Sequence, residues 1–222
     1  MSSPTCARGA CAGSTSDPTS STLPHRSKGT RRRLRQCAGA LADELGRPLR
    51  FEARATDEVD GFLRMEDAGW KGDAGHGGEG FLATGMAEWF AEVTAGFRDR
   101  GRLRVNALAA GDRTVYVAFN FRSADAEFGF VDTYDTGLAE HRPGVLGRTI
   151  EMRRLDALSD VAYLDPCLDP TFAEAMRLYP HRRTQANLIV AHGGAASQAL
   201  AAALPTARDV RDRMRRVLAP SR

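Results

Sequence analysis

Residues 103–147 read LRVNALAAGDRTVYVAFNFRSADAEFGFVDTYDTGLAEHRPGVLG, and this stretch predicts most of the fold. Three strand patterns lie within it, at Leu103–Ala109, Thr114–Arg122 and Glu127–Tyr134. Only short turn-like segments separate them. Because such short connections join antiparallel neighbours, we expect a meander of three strands.

After Tyr134 the pattern changes from strand to helix. Asp135–Pro143 is predicted to be a loop, Gly144 to about Ala157 a helix, and Ser159–Leu164 a short strand. A strand, a helix and a strand in that order require a parallel pair joined by a crossover. We therefore expect an α/β (α+β) fold with a mixed sheet, in which an antiparallel meander continues into a βαβ unit with flanking helices.

The elements on either side complete this picture. Upstream, the sequence predicts a strand at Leu49–Ala55, a helix at Asp57–Gly69, and a further helix capped by Thr84. The apolar stripe of this last helix is expected to pack in the core; it consists of Met86, Trp89, Phe90, Val93 and Phe97. Downstream, we expect a helix at Thr171–Tyr179, a strand at Gln185–Ala191 and an Ala-rich helix broken at Pro205.

The chain divides into four predicted segments. Residues 1–28 are rich in Ser, Thr, Gly and Pro and have almost no large apolar residues, so we expect disorder there. Residues 29–46 form a leading helix, residues 47–192 one folded domain, and residues 193–222 a helical tail.

Composition excludes several classes of protein. With 42% hydrophobic and 27% charged residues, the chain is typical of a globular protein. The net charge is only +3, and no aromatic residues interleave with the basic clusters, so a nucleic-acid partner is not favoured. No window approaches the ~18 apolar residues of a membrane span, and the N-terminus has no secretory signal. The four cysteines match no zinc pattern. We expect a reduced, cytoplasmic chain without a metal.

The loop-to-helix junction is the first candidate binding site. The first N–H groups of a helix lack internal partners and lie at the positive end of its dipole. Gly144, Val145, Leu146 and Gly147, with Pro143 fixing the approach, could thus offer donors to a pyrophosphate. A plain loop entering a helix remains the alternative.

Several motifs occur in an order that resembles a known family. They are Glu66–Gly72 (EDAGWKG), the helix with Trp89 and Phe90, Gly101–Leu103, and the pair Tyr134-Asp135 … Pro143-Gly144. Over roughly residues 47–190 this order resembles the C-terminal domain of the CelD-like (cellulose-biosynthesis-associated) acyltransferases. These belong to the GNAT superfamily and are related to FemAB-type transferases.

The resemblance implies an N-acyltransferase that uses acetyl-CoA or acyl-CoA. It places the pantetheine in a notch between the strand ending near Tyr134 and the strand at residues 159–164, and the pyrophosphate at the helix start. Arg142 stands where the family has Ser, and it could pair with a phosphate or be exposed. Relatives usually carry a second GNAT-like domain, so we expect a homodimer or a partner chain that supplies one.

Acyl transfer to an amine needs a base for the nitrogen and an acid for the thiolate. Asp135 is the predicted base, with capping of the turn as its alternative role. The resemblance gives Tyr179 the role of thiolate-protonating acid, and Lys71 could orient an acidic group of the substrate. Trp70 and His181 are assigned to substrate binding.

Three functions are compatible with these features. The first is acyl transfer from CoA to a primary amine of a small molecule or an amino sugar. The second is a FemAB-type transfer that uses aminoacyl-tRNA. The third is a catalytically idle GNAT-like domain that serves as a binding or assembly subunit.

Overall fold

The computed structural model describes residues 27–54, 58–155, 158–168, 178–179, 181 and 190–218. The chain divides into one unit that ends at residue 180 and a second that starts at His181. The expectations for residues 1–28, 171–179 and 185–191 fall largely outside the described residues and stay predictions. Among the helices of the described ranges, none is both long and apolar enough to cross a bilayer.

The first unit is built around a five-stranded sheet. Its helices and strands are α1 (Lys28–Leu45), β1 (Leu49–Arg54), α2 (Val59–Asp67), α3 (Ala87–Asp99), β2 (Leu103–Ala110), β3 (Arg113–Ser123), β4 (Ala126–Tyr134), α4 (Pro143–Leu155) and β5 (Tyr163–Asp165). The strands are ordered β1-β2-β3-β4-β5. The first four are antiparallel and β5 is parallel to β4, which confirms the predicted mixed sheet and crossover.

Helices cover both faces of the sheet. Because side chains alternate along a strand, β3 sends Tyr116 and Ala118 to the face covered by α1 and α4, and Val117 and Phe119 to the face covered by α2 and α3. On the second face the rings of Phe62, Phe90 and Phe119 lie 5.0–5.2 Å apart, centroid to centroid. The core is therefore split into two layers that sandwich the sheet.

A glycine lets α4 approach β3 very closely. A Cβ atom built on Gly147 would lie 2.1 Å from Cδ1 of Tyr116, well inside van der Waals contact. The ring of Tyr116 is fully buried against this point of the helix backbone. Residues four apart lie on the same face of a helix, so Glu151 also lies over β3.

The apolar stripe predicted for α3 is wrong in part. Phe90 is fully buried, but Met86 is 41% and Trp89 44% exposed. The cap prediction is also wrong, because the helix begins after Met86 and the Thr84 hydroxyl donates instead to the carbonyl of Gly80. The buried residues of this helix are Phe90 and Thr94, which lie four positions apart on one face.

Two further boundaries differ from the sequence prediction. β5 runs over Tyr163–Asp165 rather than 159–164, because residues 159 and 160 form a turn in which Asp160 pairs with Arg122. In the second unit, α5 (Ala195–Leu218) continues through Pro205. Proline removes one backbone hydrogen bond and bends a helix. The turns on either side of Pro205 nevertheless remain helical, so Pro205 does not break this helix.

The contact between Gly147 and Tyr116 predicts a stability difference between two matched substitutions. Gly147→Ala should lower the free energy of unfolding by about 2 kcal/mol or more, because overpacking forces a rigid ring or the helix to move. Gly39→Ala is the control, since this helical glycine has nothing within 4 Å of its Cβ position. Alanine there should raise stability by about 0.5–1 kcal/mol. Urea unfolding measures both, and equal effects would contradict the steric argument.

Candidate functional site

β4 and β5 pair over a short distance and then diverge. Only Ala126, Glu127 and Phe128 of β4 pair with β5. A bulge follows, because Asn120 of β3 faces Gly129 while the preceding residue faces Val131. The backbone of Pro166 packs against Gly129, and a Cβ atom built on Gly129 would lie 3.1 Å from the carbonyl oxygen of Pro166. Beyond this point β4 continues to its end without β5 beside it.

A cavity of about 240 Å³ lies where the strands diverge. Its walls come from β3, β4, α4, the segment after β5, and Tyr179. This volume is below the ~300–1,000 Å³ of pockets that enclose a drug-sized ligand. The cavity therefore suits the end of a longer molecule that enters between the two strands.

Glu151 of α4 is the buried carboxyl group in this cavity wall. It accepts hydrogen bonds from three neutral groups: the hydroxyl of Tyr116 at 2.7 Å and the amides of Asn106 and Asn120 at 2.7 and 3.0 Å. Burial raises the pKa of Glu151 to about 7, and these hydrogen bonds oppose the rise only in part. The group therefore changes protonation near neutral pH, as a general base should.

Asp132 of β4 lies in the same wall but in a different electrostatic environment. Arg148 of α4 donates two hydrogen bonds to it, from Nε to Oδ2 and from Nη2 to Oδ1. Such bidentate pairs are among the strongest charge-assisted contacts in proteins. Asp132 is thus paired with a cation, while the hydrogen-bond donors to Glu151 that the structure describes include no cation.

Tyr179 lines the same cavity. Burial raises the pKa of its phenol, and the nearby charge of Glu151 raises it further. The phenol is therefore protonated at neutral pH, and the raised pKa makes it a weaker acid than an exposed tyrosine. The structure thus brings the predicted acid into the cavity, although its role stays a prediction.

Lys71 also lines the cavity, and its ammonium group has protein partners. It donates to Glu66 at 3.3 Å and to the backbone carbonyl of Asp132 at 3.2 Å. Glu66 is 3% exposed and also accepts the N–H of Phe81. These contacts hold the loop that carries Lys71 against β4. Lys71 thus positions this part of the cavity wall and also places a positive charge there.

Asp135 and Trp70 are not among the cavity-lining residues. The carboxylate of Asp135 accepts from Arg113 at 2.6 Å and from the N–H of Gly137 at 3.0 Å, so it caps the turn after β4. Trp70 is 67% exposed. His181 belongs to the second unit. The roles predicted for these three residues stay predictions.

The predicted pyrophosphate site at the start of α4 is largely buried. Pro143, Gly144, Leu146 and Gly147 are buried, and Val145 is partly exposed. The N–H of Leu146 donates to the carbonyl of Arg142, which is left-handed with φ 56°. The N–H of Leu146 is thus already engaged, so the donors of this junction are fewer than the sequence suggested.

Sequence reasoning missed the centre of the site. Tyr116, Asp132, Arg148 and Glu151 come from β3, β4 and α4, and none was singled out. Polar residues at interior strand positions, such as Asn120, were an available signal. Elsewhere, Glu44, Glu140 and His141 place ligand atoms within 4.8 Å of one another, but exposed carboxylates often gather without an ion.

The raised pKa of Glu151 predicts a pH-dependent stability difference. Because the folded state holds the proton up to pH 7 and the unfolded state loses it near 4.5, this stabilisation is complete below pH 4.5. It is lost as the pH rises to 7 and amounts to about 3 kcal/mol. Glu151→Gln should not show this loss. Unfolding of both proteins in urea at matched pH values checks it, and parallel curves would contradict it.

A family model and a solved structure are similar to this chain. The sequence model of the acetyltransferase (GNAT) domain matches residues 28–166, which run from α1 to just beyond β5. A solved structure of a possible acetyltransferase from Clostridium difficile 630 is similar at 11% identity and a TM-score of 0.40, over 65% of this chain and 99% of the other. No curated protein matches the chain. Because the family match covers more than half of its residues, this chain belongs to the acetyltransferase (GNAT) domain family.

Proposed function

We propose that this protein transfers an acetyl or acyl group from CoA to a primary amine of a small molecule or an amino sugar. Acyl transfer is the general activity of the family to which the chain belongs. The observation that carries the proposal is the cavity between β4 and β5, which has a buried carboxyl group with a pKa of about 7 in its wall. The resemblance to CelD-like and FemAB-related enzymes supports the same class.

The thioester end of the acyl-CoA would occupy the cavity, and the remainder would leave along the free edge of β4. Past Phe128 this edge has no β5 partner among the described residues, so its backbone can hydrogen-bond an extended chain. The start of α4 follows β4 directly after the turn at residues 136–141. A pyrophosphate at Val145 would be stabilised by the helix dipole.

Two titratable groups of the cavity supply the proton transfers. Glu151 accepts a proton from the attacking nitrogen, the nitrogen bonds to the carbonyl carbon, and the carbon–sulfur bond breaks. Tyr179 gives its proton to the departing thiolate and regains one from solvent, while Glu151 releases to solvent the proton that it took from nitrogen. One proton is thereby moved from nitrogen to sulfur, and the products are an amide and free CoA.

The proposal predicts a large effect of Glu151→Gln on acetyl transfer. Loss of a general base typically lowers kcat by about 10²–10⁴-fold, and the kcat/KM of the unchanged protein should rise with pH through about 7. Release of free CoA from acetyl-CoA with a panel of primary amines measures the rate. Asp135→Asn is the comparison, because it retains the cap to Gly137 and should change kcat by less than about threefold.

The opposite ranking of these two variants would make Asp135 the base. Binding of acetyl-CoA without release of free CoA from any amine would instead favour a catalytically idle binding subunit.

The pyrophosphate position predicts a second, separate effect. Val145→Glu places a negative charge at the start of α4 on a partly exposed position. It should weaken CoA binding by about tenfold, with Val145→Gln as the uncharged control. Pantetheine lacks the pyrophosphate, so calorimetry should show its affinity unchanged in both variants. An equal loss for pantetheine would contradict this position.

A further inference from the structure

Tyr116 has one hydroxyl hydrogen and two carboxyl oxygens within its reach. Its oxygen lies 2.7 Å from Oε2 of Glu151 and 3.2 Å from Oδ2 of Asp132. An ionised carboxylate only accepts hydrogen bonds, and a phenol donates one. The hydroxyl therefore cannot donate to both groups while both are charged.

A proton on the carboxyl group of Glu151, in addition to the hydroxyl hydrogen of Tyr116, satisfies every contact. Asp132 receives two hydrogen bonds from the guanidinium group of Arg148. Glu151 receives its other hydrogen bonds from the neutral amides of Asn106 and Asn120. When Glu151 carries the proton it donates to Tyr116, and Tyr116 donates to Asp132.

Loss of that proton reverses the direction of the hydrogen bond between Tyr116 and Glu151. The carboxylate of Glu151 then needs a donor, and Tyr116 can turn its hydrogen from Asp132 to Glu151 by rotation about one bond. Asp132 keeps both hydrogen bonds from Arg148 in either arrangement. The ring itself does not move, because it is fully buried against Gly147.

We propose that Tyr116 is a positioning residue whose hydroxyl switches between Asp132 and Glu151, so that Glu151 is hydrogen-bonded both before and after it takes the proton of the acceptor amine. The inference rests on the proposed function, since it assigns Glu151 the role of base. It adds that the base does not act alone.

The switch explains how a buried carboxyl group in the cavity wall can serve as a base. An unpaired charge in such a position is strongly disfavoured, and the hydrogen bond from Tyr116 stabilises the carboxylate when the proton is absent. The charged and titratable groups around Glu151 include Tyr116 of β3, Asp132 and Glu127 of β4, Arg148 and Arg154 of α4, and Tyr179. Of these, only Tyr116 contacts both Asp132 and Glu151 through hydrogen bonds that the structure describes.

Tyr116→Phe tests the switch, because it removes the hydroxyl and keeps the ring against Gly147. An infrared pH titration of the full chain follows the protonated carboxyl band, and Glu151→Gln identifies the band of Glu151. Loss of a hydrogen bond to a charged group should raise the midpoint of this titration by about one to two pH units. Tyr163→Phe is the control, since Tyr163 lies on β5, is 40% exposed and does not line the cavity.

The pH profile of acetyl transfer provides the functional readout. In Tyr116→Phe the rise of kcat/KM with pH should move up by the same amount as the infrared midpoint. A loss of rate at an unchanged midpoint would show a merely structural tyrosine and overturn the inference. A shifted midpoint in a protein that transfers no acetyl group would retain the switch and overturn the proposed function.

A measurement on the unchanged protein covers the case in which Tyr116→Phe does not fold. The carbon–oxygen stretching band of a tyrosine depends on whether its hydroxyl donates or accepts. With ring-labelled tyrosine, the band of Tyr116 should change at the same pH as the carboxyl band of Glu151. A tyrosine spectrum that stays constant through that pH would overturn the inference.

Discussion

The ring of Tyr116 packs directly on the backbone of α4 at Gly147, and the candidate site is arranged around this contact. Any side chain at that position would push the helix away from β3. One turn further along α4, Glu151 lies against the sheet, within hydrogen-bond distance of the hydroxyl of Tyr116. The same contact therefore sets the packing of the crossover helix and the position of the buried carboxyl group.

The three carboxyl groups around the cavity are distinguished by their partners. Glu66 is neutralised by Lys71, and Asp132 by Arg148. Glu151 has only neutral hydrogen-bond donors, so the cost of removing a charge from water dominates its pKa. The Glu66 pair holds the loop that carries Lys71, and the Asp132 pair joins β4 to α4, while Glu151 is able to exchange a proton at neutral pH.

The opening itself is a property of the backbone. β4 pairs with β5 through three residues, the backbone of Pro166 then packs against Gly129, and the bulge at Phe130 follows. Alternation and short turns predicted the strands and their antiparallel order, and the helix after Tyr134 predicted the parallel partner. Neither pattern carries information about a bulge, because the inserted residue at Phe130 is apolar like its neighbours. The predicted stripe of α3 failed for a related reason, since Met86 fits the spacing but precedes the helix.

The sequence by itself determined the order of the elements, the mixed sheet and the position of the crossover, because periodicity and turn chemistry act over a few residues. It also selected Lys71 and Tyr179, both of which line the cavity. Only the tertiary structure decided that Glu151 rather than Asp135 lies in the cavity wall. Burial and hydrogen bonding depend on residues that are distant along the chain, such as Tyr116 and Glu151, which are 35 positions apart. A pKa that depends on such contacts has no counterpart in local sequence.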